Sequence, residues 1–187
     1  VRQIAEKFQE PLEFRVLNNE VFGWAGRLMH YVQDVTVPAH VVPVRHLDHE
    51  GFEEYKIENL DDLFNEFEHL SCRDQNGEPA SLEKIFDNTA RMTLQTLDGE
   101  FLVNCAGIET SYAWNQVWVG HEGPYYGRYG TLGNIFGEEN FFWQGQTCRV
   151  DSRFYNDYKL RQLRTAVDSS RLILEWIWRW QSPNPLP

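Results

Sequence analysis

The chain has 187 residues, 42% of them apolar, with seven Trp, eight Tyr and twelve Phe, and a formal charge of −11. That size and composition suit a single domain over residues 1–187 with a sizeable core, and exclude a disordered chain. The acidic balance disfavours recognition of nucleic acid or an anionic membrane by general surface charge, so a phosphate-bearing substrate would need a local positive feature such as a bound metal.

Residues 1–14 mix apolar and charged positions, and no signal peptide is visible. No run of about 18 apolar residues occurs anywhere, so no segment is expected to span a membrane. Residues 19–35, NEVFGWAGRLMHYVQDV, predict a helix. Asn19 is a candidate N-cap, and Val21, Trp24, Leu28, Tyr31, Val32 and Val35 recur at helical spacing. Pro38 is expected to end it, with TVPAHVVPVRH following as an extended loop. Residues 48–69 predict a second helix with Asp48 as cap and a stripe of Phe52, Tyr55, Leu60, Leu63, Phe64 and Phe67.

SCRDQNGEPAS reads as a polar loop, and a third helix is expected from Leu82 to about Leu97, capped by Ser81 with Glu83 in its first turn. LDGEFLVNCAG stays open between a continuation of that helix and a turn. Residues 106–147 hold eight of the thirteen glycines and many aromatics. They predict a long irregular segment in which short strands are an open alternative, and such a segment is either functional or an aromatic-packed surface loop. The last helix is predicted over 151–180. Its apolar stripe includes Tyr155, Tyr158, Leu163, Ala166, Leu172, Ile173 and Ile177, with Lys159, Arg161, Arg164 and Arg171 on the other faces. Cys72, Cys105 and Cys148 are far apart and form no CxxC pair, so a thiolate zinc site is not expected. Buried apolar thiols are the expected state, with a single disulfide as the alternative.

The chemistry concentrates in LMHYVQDVTVPAHV, residues 28–41. His30 and Asp34, at i and i+4, share a helix face and offer an imidazole beside a carboxylate. Such a pair alone is more often solvated or hydrogen-bonded than metal-bound. His40 follows just past Pro38, and HEGFEEY then places His49 and Glu53 at the same spacing on the next predicted helix. Two antiparallel helices would bring His, Asp, His, His and Glu together from 24 residues of sequence, and these are donors zinc accepts. His46 and Glu50 offer an alternative register, and His69 and His121 have no partner at ligand spacing.

HYVQDVTVPAH followed by HEGFE resembles the zinc-dependent phospholipase C and S1/P1 nuclease superfamily, whose pattern is HYxGDxxxPxH and then Hxx[FY]E. Gln33 stands where the family usually has glycine. The C-terminal AVDSSRLILEWIW also resembles that family's last helix, less specifically. The resemblance favours the His49 and Glu53 register, because Phe52 precedes Glu53 whereas His49 precedes Glu50. It implies an all-α fold with three zinc ions in a cleft, a secreted or periplasmic protein, and hydrolysis of a phosphodiester in a phospholipid or nucleic acid. By the same resemblance His30 and Asp34 bind one zinc, Asp34 bridges to another and acts in catalysis, and His40, His49 and Glu53 bind the remaining ion. His30 and Asp34 are then expected to point inward.

The family also uses an N-terminal amino group, an early histidine, and an aspartate and histidine before this segment. The residues ahead of His30 contain no histidine. The expectation is a site with one or two ions and weak or absent turnover, unless an N-terminal segment completes it. The second class of reading is a non-catalytic metal-binding or scaffold domain that acts through the aromatic loop as a binding module.

Overall fold

In α1, Asn19–Asp34, the residues Val21, Ala25, Leu28 and Val32 fall three or four apart and are buried on one side. This is the helix expected from periodicity. The computed structural model describes residues 19–42, 52, 80–97, 99–119, 128–133 and 140–181. The helix expected over 48–69 lies outside the described residues except for Phe52, which is helical and buried.

The segment after α1 departs from the expected extended loop. A turn closes through Thr36 N to Gln33 O at 2.9 Å and Val37 N to Asp34 O at 2.9 Å. Pro38 then opens a short helix, α2, Pro38–Val41. Proline ends one helix and suits the first position of the next, because a first-turn N–H has no intrahelical acceptor to lose. α3, Leu82–Thr96, has the expected cap, with Lys84 N donating to Ser81 Oγ at 3.3 Å and Glu83 in the first turn.

The all-α expectation is overturned beyond α3. LDGEFLVNCAG is neither helix nor turn alone: β1, Glu100–Cys105, runs into β2, Ile108–Ala113. Phe101 and Val103 are buried while Glu100 and Leu102 are exposed, the period of two of a half-buried strand. Ala106 and Gly107 between the strands both have positive φ, as a two-residue type I′ hairpin requires. A short 3-10 turn, Trp114–Gln116, leads to β3, Trp118–Val119, which pairs with β4, Arg128–Tyr129. Gly130 fits there because a Cβ would stand 2.3 Å from Gln116 O. β5, Phe141–Trp143, and β6, Gln146–Val150, form a second hairpin through Gln144 and Gly145, again both at positive φ. The main sheet is antiparallel with order β2-β1-β6-β5. The chain is therefore a mixed α/β protein, not an all-α one, and the 106–147 segment supplies most of the strands.

Cys105 and Cys148 face each other in register across β1 and β6 and form a disulfide. This corrects the expectation of apolar thiols. Cys72 lies outside the described residues.

α4, Ser152–Gln181, is 30 residues long, about 45 Å at 1.5 Å per residue, and packs on both halves of the molecule. Its N-terminal part closes an aromatic core over the sheet, where Tyr155 and Tyr158 meet Phe52, Phe101 and Trp114. Its C-terminal part puts Leu172, Ile173 and Ile177 against Val21, Leu28 and Ile85. Between the two cores runs a buried polar layer. Thr89 and Ser169 hydroxyls are 2.8 Å apart, and Gln162 Nε2 donates to Thr96 Oγ1 at 2.7 Å. Pairing satisfies these groups at a depth where an unmet hydrogen bond is costly. Among the described residues no helix is long and apolar enough to cross a membrane.

Candidate metal centre and its cleft

The last turn of α1 carries His30, Gln33 and Asp34, and α2 carries His40. His30 Nε2 stands 3.5 Å from Asp34 Oδ2, and His40 Nδ1 stands 4.0 Å from Asp34 Oδ1. One carboxylate thus presents a different oxygen to each of two imidazoles. The separations exceed an ordinary hydrogen bond. Two donors each about 2.0–2.2 Å from a tetrahedral ion lie roughly 3.4 Å apart, so the 3.5 Å pair has a spacing an ion would impose, and the 4.0 Å pair is slightly wider.

The local backbone explains the convergence. His30 and Asp34 meet by helical spacing. His40 joins them because the 35–37 turn reverses the chain and α2 begins at once. Thr93, fully buried on α3, holds that turn: its Oγ1 lies 2.8 Å from Val35 O, the nearest of its acceptors. Gln33, the departure from the family pattern, donates from Nε2 to Ser170 Oγ on α4 at 3.0 Å.

The inward orientation expected of the pair is only half met. The Asp34 side chain is 32% exposed, and that of His30 is 69% exposed at the rim. His49 and Glu53, the further expected ligands, lie outside the described residues, as do His46, Glu50, His69 and His121. Among the described residues no group of three or more His, Cys, Asp or Glu side chains is arranged to hold a metal ion. His30 and His40 each approach a different oxygen of Asp34, as two pairs and not as a complete donor set.

The pair opens on a cleft of about 450 Å³ between α1 and α4. His30, Gln33 and Asp34 line one wall, and Lys159, Gln162, Leu163, Ala166 and Val167 of α4 line the other. Sequence periodicity put Lys159 on a solvated face. The structure buries it: Lys159 is 6% exposed, donates from Nζ to Phe52 O, and lies 4.0 Å from the centre of the Phe52 ring. The signal available was its place in the register: Tyr155, Lys159, Gln162 and Ala166 recur at three- and four-residue steps on one helix face.

Comparison with protein-family models, with curated proteins and with solved structures finds no match to this chain. The likeness to the zinc phospholipase C and S1/P1 nuclease superfamily therefore rests chiefly on the motif between His30 and Glu53.

Proposed function

We propose that this chain is a zinc-dependent phosphodiester hydrolase, with a phospholipid or nucleic acid as substrate. Its metal centre is built on His30, Asp34 and His40, with His49 and Glu53 as the remaining protein ligands. The observation that carries this reading is the Asp34 carboxylate, one oxygen turned toward His30 and the other toward His40 at the mouth of a cleft. That is the disposition of a carboxylate shared between two ions. The sheet departs from the all-α architecture of the family, so support comes from this cluster and not from the overall fold.

Zinc held by these residues would lower the pKa of bound water toward about 7 and would supply a hydroxide nucleophile at neutral pH. The chain's own part is positional. Asp34 holds the donors in register, the α1–α2 turn fixes His40, and α4 supplies the opposite wall that confines the phosphate. Cations in the cleft would offset the charge of −11 that otherwise opposes an anionic substrate. The Cys105–Cys148 disulfide supports an oxidising, secreted or periplasmic setting.

A second reading, a binding module acting through the 106–147 segment, is favoured by Phe142 and Ile108, which are 75% and 65% exposed on the sheet. Metal analysis combined with hydrolysis of a phosphatidylcholine analogue and of single-stranded DNA separates the two. Chelator-sensitive turnover that Asp34→Asn abolishes supports the hydrolase. Absence of both zinc and turnover supports the binding module.

A further inference from the structure

α4 runs against the charge of the chain. It carries six Lys or Arg against three Asp or Glu, in a protein whose formal charge is −11. Along it Leu160, Leu163, Val167, Leu174 and Trp178 recur at steps of three, four, seven and four residues, which keeps them on one side of the helix. Leu160 and Leu163 are half-buried, and Val167, Leu174 and Trp178 are 41%, 51% and 53% exposed. The ridge is about 27 Å long at 1.5 Å per residue. Arg171, the charged residue within it, pairs with Asp168 and Glu175 on the same helix. Phe22 of α1 is 61% exposed and lies about three turns from Gln33 on the same side of its helix, and Gln33 bonds Ser170 of α4. An exposed ridge of Leu, Val and Trp is costly to leave in water and marks an interaction surface.

We propose that this ridge docks the protein on the surface of a zwitterionic phospholipid bilayer. Two observations select that occupant. Leu163 and Val167 belong both to the ridge and to the lining of the cleft that holds His30 and Asp34, so whatever covers the ridge comes to the mouth of the cleft. A bilayer meets that mouth with its headgroups, whereas a second copy of the chain would close it. The charge pattern agrees. The basic excess on α4 suits the phosphate layer of a lipid interface, while a charge of −11 opposes both an anionic bilayer and a second copy. Val167 and Leu174 enter the boundary of the acyl chains, and Trp178 sits at headgroup level, where indole rings are favoured. The docking needs no metal. Only its consequence rests on the hydrolase reading: it makes a phospholipid, rather than a nucleic acid, the substrate of that centre.

The test is co-sedimentation of the full chain with sucrose-loaded phosphatidylcholine vesicles, with zinc and with a chelator, for wild type, the double variant Leu174→Gln/Trp178→Gln, and Phe142→Gln. Both replaced ridge side chains are more than half exposed, so the double variant is expected to fold, which circular dichroism checks. It should bind vesicles about tenfold more weakly than wild type, while Phe142→Gln, on the sheet, stays within about twofold. No wild-type binding, equal affinity in the double variant, or a larger loss in Phe142→Gln overturns the proposal. Self-association that the double variant abolishes, without vesicle binding, also overturns it and makes a second copy the occupant. Should the double variant not fold, brominated phosphatidylcholine gives the answer: it should quench the fluorescence of wild type more than that of Trp178→Phe, and equal quenching overturns the proposal. Vesicle binding without hydrolysis upholds the docking and defeats the hydrolase reading. Hydrolysis of a soluble short-chain phosphatidylcholine without vesicle binding does the reverse.

Discussion

Asp34 Oδ1 stands 4.0 Å from His40 Nδ1 across the turn that separates α1 from α2. The two residues are six apart in sequence, a separation that one continuous helix would place on different faces. They meet because Pro38 restarts the helix after three turn residues. The approach of His40 to Asp34 therefore depends on that turn.

Thr93→Val removes the hydroxyl that donates to Val35 O and leaves a carbonyl beneath the turn without that bond. We expect a stability loss of about 1–3 kcal/mol by denaturant unfolding. Zinc affinity should fall several-fold although Thr93 touches no donor. Unchanged zinc affinity in a folded Thr93→Val chain would show that the turn is held by other contacts.

His49→Ala should lower zinc occupancy much more than His46→Ala. The motive is the motif register, with Phe52 before Glu53. Parallel metal analysis of the two variants decides it: equal losses, or a larger loss for His46→Ala, would assign the alternative register.

The Cys105–Cys148 bond closes a sequence separation of 43 residues. Replacing both cysteines with serine should cost about 4 kcal/mol, chiefly by freeing the unfolded chain. Thiol titration of the unfolded, unreduced protein should find one thiol per chain, from Cys72, and three after reduction. Three thiols before reduction would contradict the bridge.

Burial raises the Tyr158 phenol well above the ordinary tyrosine range, against hydrogen bonds from Thr96 and Gln162 and the charge of Arg161, which lower it. The folded state thus holds this proton more tightly than the unfolded state. The resulting stabilisation is complete below the unfolded pKa of about 10 and is lost as pH rises toward the folded value. Tyr158→Phe should be less stable than wild type at neutral pH by about 1 kcal/mol, through its lost hydrogen bond. The gap should narrow as pH rises past 10 in thermal melts. A gap constant to pH 11 would mean the phenol ionises freely in the folded state.

How far the fold could be read in advance differs by element. α1, α3 and α4 were legible because apolar residues such as Val21, Leu28 and Val32, or Tyr158, Ile173 and Ile177, repeat over 15 or more residues. The strands were not. β1 shows only Phe101 and Val103 as its buried alternation, too short a run to outweigh the helix before it. The turn signals lay in the Gly of Ala106–Gly107 and Gln144–Gly145, without the Asn-Gly or Asp-Gly form that marks hairpins most strongly. The His30–Asp34 pair was legible from spacing alone. The approach of His40 depended on a turn read as extended chain, and the burial of Lys159 depended on a tertiary contact with Phe52.

The most direct measurement is zinc titration of the purified chain by calorimetry, repeated on Asp34→Asn. The account predicts zinc binding in the wild type and a loss of affinity of at least about tenfold in the variant, because Asp34 serves both imidazoles. No zinc binding, or the same affinity in both proteins, would contradict it.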